Sequence, residues 1–169
     1  MKQLFATLAL FCCAMLILCS TAGAQDRRSI TAFATEDDDG NPVLALTRDR
    51  LIAAFEAEFG DGTTVTDVRI ETDRSIPGAP YYLVGSGTIR GNSHIMGVTL
   101  VLVDGAFYAA DIRHSCTGDP CESCKFKKDK EGTITGCDCN GSGKCNHTIS
   151  TVSAAAEESG SLYGIGLEP

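Results

Sequence analysis

Six cysteines lie within thirty residues of one another, Cys116, Cys121, Cys124, Cys137, Cys139 and Cys145, in the spacing C-x4-C-x2-C-x12-C-x-C-x5-C. Thiols at this density oxidise to disulfides, bind a soft metal or exchange electrons as a reactive pair. The surrounding segment, residues 114–148, is polar and Gly-rich, with few apolar residues to hold its own loops. Disulfides suit such loops because they restrict the unfolded chain. The sequence does not choose among the possible pairings, but one local argument is available. Lys125-Phe126 and Thr133-Ile134-Thr135 read as short strands joined through Lys127 to Gly132, which brings Cys124 near Cys137. That pair is the expected bond.

The metal alternative uses the same residues. His114 and His147 bracket the thiols, Cys121-x2-Cys124 has the spacing of half a zinc site, and Cys137, Cys139 and Cys145 offer further soft ligands. Zinc or an iron–sulfur cluster is the cofactor this alternative requires, whereas the disulfide reading needs none. The redox alternative rests on Cys121-Glu122-Ser123-Cys124, with Lys125, Lys127, Lys128 and Lys130 nearby to favour a thiolate. Exchange-active pairs open a helix after a strand, however, and here Pro120 precedes the pair and a lysine-rich hairpin follows it.

Nucleophilic catalysis has a weaker signature. His94, His114 and His147 are the only histidines, and no G-x-S-x-G elbow is present. His94 adjoins Ser93, but neighbouring residues rarely achieve the required geometry, and Asp104 or Asp111 would have to arrive through folding. No catalytic residue is assigned on these grounds. Gly85-Ser86-Gly87 lies inside a predicted strand, where it forms no phosphate cradle.

The compartment follows from the N-terminus. Lys2, the apolar run Leu4 to Leu18 and the small residues Ala22-Gly23-Ala24 read as a signal peptide spanning residues 1–24, cleaved before Gln25. Cys12, Cys13 and Cys19 leave with it. Leu16-Ile17-Leu18-Cys19 also resembles a lipobox, so a lipid anchor on Cys19 is the alternative to a free periplasmic or secreted product. No later segment is apolar enough to span a membrane. The formal charge of −8 argues against a nucleic-acid or anionic-membrane partner.

The remaining chain must position these groups. Residues 25–46 read as a flexible acidic leader closing in the turn Asp37-Asp38-Asp39-Gly40-Asn41-Pro42, whose spacing fails the calcium-loop pattern at Pro42 and Arg48. Thr47 is placed to cap a helix from about Arg48 to Phe59, with Leu51, Ile52, Phe55 and Phe59 as its apolar stripe and Gly60 as its stop. Strands follow over residues 63–72, 81–90, 95–103 and 107–112, with Asp104-Gly105 as a hairpin turn. The predicted fold is α+β: residues 47–113 place one amphipathic helix on an antiparallel meander of about four strands, and a small disulfide-rich hairpin extension follows. Residues 149–169 form a tail in which Ala154 to Glu158 suit one or two helical turns. The functional expectation is an exported noncatalytic binding or structural module with three disulfides, whose partner is a protein or cell-envelope component. Thiol–disulfide exchange through Cys121 and Cys124, or metal binding, is the alternative.

Overall fold

The structure is a computed structural model that describes residues 32–151 and Leu162. The predicted signal peptide, the lipobox at Cys19 and the short helix at Ala154 to Glu158 lie outside the described residues.

Strands β1 (Ala34–Glu36) and β2 (Pro42–Leu44) form a small hairpin, followed by helix α1 (Arg48–Phe59) and then β3 (Thr64–Glu71), β4 (Tyr81–Ile89), β5 (Asn92–Val103) and β6 (Ala106–Asp119). Three further strands complete the described chain: β7 (Cys124–Lys128), β8 (Ile134–Cys139) and β9 (Lys144–Thr151). The main sheet is antiparallel and seven-stranded, in the order β2-β1-β6-β5-β4-β3, with β9 also paired to β6. This overturns the expected helix on a four-strand meander. The sheet, not the helix, dominates the molecule.

The physical reason for the error lies in the added strands. β1 and β2 are three residues each, embedded in acidic sequence, and too short to show a period. Residues 34–44 are thus a hairpin rather than a flexible leader. Its turn is held by Asp37, whose carboxylate accepts from the amides of Asp39 (3.0 Å) and Asn41 (2.7 Å). β9 is an outer strand with both faces largely wet, so Lys144–Thr151 carries no apolar alternation. Strand β6 is long enough to serve both additions. Its first residues pair with β1, and Ile112–Asp119 pair with β9 on the same edge.

The helix forms where its caps predict. Thr47 Oγ1 accepts from the Arg50 amide at 3.4 Å, and Gly60 takes the left-handed conformation (φ 64°) while its N–H bonds to the Glu56 carbonyl at 3.2 Å. Leu51, Ala54 and Phe55 are buried against one face of the sheet, over Val68, Leu83 and Val98. A side chain at Gly85 would put its Cβ 2.5 Å from the Phe55 ring, so this glycine lets the helix reach the sheet.

The opposite face is covered in part by the β7–β8 hairpin. Phe126 and Ile134 pack there on Tyr82, Val84 and Ile95, and the Ile134 amide donates to Tyr82 Oη at 3.2 Å. Because strand side chains alternate, β6 serves both layers. Arg113 and Ser115 face the helix layer, and His114 and Cys116 face the hairpin layer.

Candidate functional site

The cysteine-rich end is held by three disulfides, Cys116–Cys137, Cys121–Cys139 and Cys124–Cys145, with Cα separations of 5.9, 6.0 and 6.0 Å. In chain order the first cysteine joins the fourth, the second the fifth and the third the sixth, so the three loops interlace. The expected Cys124–Cys137 bond does not form. Cys139 lies opposite Cys124 across the hairpin and Cys137 opposite Phe126, so Cys124 and Cys137 are offset by two residues in register. Each bond instead ties the hairpin outward, to β6, to the loop that follows it, or to β9. The C-x-x-C cysteines, Cys121 and Cys124, are bonded to different partners and not to each other.

Among the described residues, the Sγ atoms of Cys121, Cys139 and Cys145 come within 4.8 Å of one another. All three are disulfide sulfurs. Zinc and iron–sulfur clusters bind thiolates, so ligation here requires the reduced chain. His114 and His147 sit on the hairpin face of neighbouring strands, their rings parallel within 4° and Nδ1 of His114 3.2 Å from Nε2 of His147. Beside the bonded loops is a polar groove of about 440 Å³ lined by Asn92, Pro120, Glu122, Asn140 and Ser142, among others.

A second constellation lies on the helix face, and its members are not those the sequence suggested. His94 is 6% exposed and packs against Phe59, ring centroids 4.3 Å apart and planes tilted by 51°. Its Nε2 lies 2.9 Å from Ser115 Oγ, and its Nδ1 lies 2.8 Å from Thr63 Oγ1 and 3.3 Å from Asp61 Oδ2. Thr63 in turn donates its hydroxyl hydrogen to Asp61 Oδ1 at 2.6 Å and its amide hydrogen to the same atom at 3.0 Å. Since that hydroxyl has one hydrogen, Nδ1 of His94 must be the donor to Thr63, which leaves Nε2 to accept from Ser115. A directed chain therefore runs from the Ser115 hydroxyl through the imidazole to the Asp61 carboxylate.

The electrostatics match this assignment. Burial lowers the pKa of His94 below its ordinary value of 6.5, with the nearby Asp61 charge only partly opposing it. Burial works against the Asp61 charge too, but the Thr63 hydroxyl and amide and the facing imidazole outweigh it and hold the carboxyl below its ordinary value.

Ser93, Asp104 and Asp111, the residues the sequence offered as partners of His94, are elsewhere. Ser93 points to the hairpin face, where its Oγ accepts from the Cys124 amide at 3.0 Å. Asp104 occupies the β5–β6 turn at φ 51°, and Asp111 is exposed on β6. Only the register of β5 with β6 and the turn after α1 bring Ser115 and Asp61 to the ring. The Asp61-Gly62-Thr63 turn signal was the available hint.

The two buried histidines predict an acid-sensitive fold. His114 is also lowered, by burial first and then by the charge of His147. Both native rings therefore take up a proton less readily than in the unfolded chain, whose value is about 6.5. The sign is that stability is fully present above about pH 6.5 and is lost as pH falls through the lowered native values. Urea unfolding at a series of pH values should show this fall, and His94→Gln with His114→Gln should flatten it. A wild-type profile already flat from pH 7 to 5 counts against the burial argument.

No family model, curated protein or solved structure matches the chain.

Proposed function

We propose that the chain is an exported binding module, with the disulfide-bonded hairpin and the sheet beside it as its working surface. The observation that carries this reading is the three interlaced disulfides, which persist in oxidising compartments and hold polar loops without an ordering cost on binding. The hairpin covers only part of its face. Beyond it Val101, Val103, Ile112 and Ile149 remain 48%, 52%, 45% and 58% exposed on three neighbouring strands. Exposed apolar side chains gathered on one face of a sheet suit an interaction site. Asp104 and Asp111 adjoin it and the whole chain is acidic, so the partner that fits is a protein with an apolar patch rimmed by cations. Among the described residues no helix is long and apolar enough to cross a membrane.

Intact mass of the protein recovered from the producing cells tests export and oxidation together. The expected product lacks residues 1–24 and gains about 6 Da on reduction, the hydrogens of six thiols. A full-length product with free thiols sinks the reading. The surface is tested by placing a photo-crosslinking residue at Ile149 in cells. A single heterologous adduct that is weakened by salt and lost in Val101→Asp supports the cationic partner. Adducts only between copies of the chain, or none, overturn it.

A further inference from the structure

The opposite face of the sheet carries an arrangement that the binding reading does not use. We propose that Ser115 is a nucleophile activated by His94, and that the site cleaves small uncharged or cationic esters by acyl transfer.

The geometry has the parts such chemistry needs. Ser115 Oγ lies 2.9 Å from His94 Nε2, within the reach a general base requires. Nδ1 is engaged by Thr63 and Asp61 at 2.8 and 3.3 Å, which fixes the tautomer and provides a negative charge beside the imidazolium when it forms. Phe59 closes the remaining side of the ring. Ser115 and His94 act on the substrate, and Asp61 and Thr63 are positioning residues.

Access distinguishes this chain of hydrogen bonds from one sealed in a core. His94 is buried, but Ser115 is partly exposed, and the Asp61 side chain is 38% exposed. Helix α1 packs over β3 and β4 and reaches β6 through the contact of Glu58 with Arg113, two residues before Ser115. The register places Thr148 opposite Ser115, and Asn146 opposite Thr117, one step along β6. Both β9 residues are exposed on the helix face, so the nucleophile borders an open polar surface. The Asn146 amide and the Thr148 hydroxyl are the side-chain donors that this surface offers to a developing oxyanion, a role side-chain amides fill in other acyl-transfer sites. A polar surround favours a short acyl group, and the exposed Asp61 carboxylate disfavours an anionic one.

In the first step Ser115 Oγ bonds to the ester carbonyl carbon while its proton passes to His94 Nε2. The tetrahedral intermediate collapses with cleavage of the bond to the alkoxy oxygen, and the alcohol departs with the proton from Nε2. Water then attacks the acyl-serine and gives a proton to the same nitrogen. Collapse breaks the Ser115 ester bond, releases the carboxylic acid and returns the proton to Ser115.

The test uses the disulfide-intact protein with a fluorophosphonate probe and with p-nitrophenyl acetate. The expected result is one adduct per chain, mapped to Ser115 by peptide mass spectrometry, and ester turnover that is lost in Ser115→Ala. His94→Gln should slow labelling by roughly 10²- to 10⁴-fold, the usual contribution of a general base. Because a buried histidine variant can fail to fold, Asp61→Asn is the second variant, and its readout is the pH profile. Asp61 is the charged group facing His94 from the α1–β3 turn, while on the helix face of β6 Arg113 is matched by Glu58 of α1. Removing the Asp61 charge should move the acidic limb of the labelling profile to lower pH, an effect a purely structural aspartate would not have. No adduct at Ser115, or an adduct formed at the same rate in folded His94→Gln, or an unshifted profile in Asp61→Asn, overturns the proposal.

Discussion

Glu58→Gln is expected to destabilise the protein by about 3–5 kcal/mol, the cost of removing one member of a buried ion pair. The Glu58 side chain is only 5% exposed and that of Arg113 15%, and the two are in contact between α1 and the helix face of β6. Their attraction is large because little water intervenes, but so is the cost of desolvating each group. Neutralising the carboxylate removes the attraction and keeps the desolvation cost of the guanidinium. Replacing both, as Glu58→Leu with Arg113→Met, should recover most of the loss because neither desolvation cost then remains. Urea unfolding of the wild type, Glu58→Leu, Arg113→Met and the double variant closes the cycle. A Glu58→Gln loss under about 1 kcal/mol would show that solvent reaches the guanidinium and that the pair belongs with surface bridges.

Removing one disulfide has a comparable effect and a different signature. For Cys116→Ala with Cys137→Ala, a bond spanning 21 residues, chain entropy alone predicts a loss of about 3 kcal/mol. Cys116 is fully buried beneath the hairpin, so the loss should appear first as local opening. The amide of Ile134, bonded to Tyr82 Oη, reports on the hairpin layer directly. Its hydrogen exchange should accelerate by more than that of amides in β4, which the helix also holds down. Equal acceleration throughout would mean that the hairpin and the sheet unfold as one unit, and that the bond stabilises both layers alike.

The sequence made some of this legible because the signals were local. Thr47 and Gly60 mark the ends of α1 through backbone hydrogen bonds that a few residues determine, and Asp104-Gly105 marks the β5–β6 turn through two left-handed backbones, at φ 51° and 78°. The central strands were visible because one or both of their faces are buried. β9 was not, since an outer strand with wet faces needs no apolar alternation and its pairing is decided by β6. The cysteines announced disulfides through their density, yet their partners depended on how a hairpin lies on a sheet. The serine at His94 depended on strand register and the aspartate on where the turn after α1 meets the sheet, neither of which residue spacing along the chain encodes. Ser115 and Asp61 are 21 and 33 positions from His94 in the chain, and only tertiary structure makes them adjacent.

The double service of β6 makes oxidation a reading of sheet alignment. A shift of one residue against β5 would turn Cys116 toward the helix and Ser115 toward the hairpin. Cys116 would then lie on the other side of the sheet from Cys137, out of reach of its sulfur, because disulfide geometry tolerates only a narrow separation. The Cys116–Cys137 bond is therefore a covalent record that the central strands have paired correctly. Any selection against chains with free thiols would, without a sensor for the sheet itself, discard the misaligned ones.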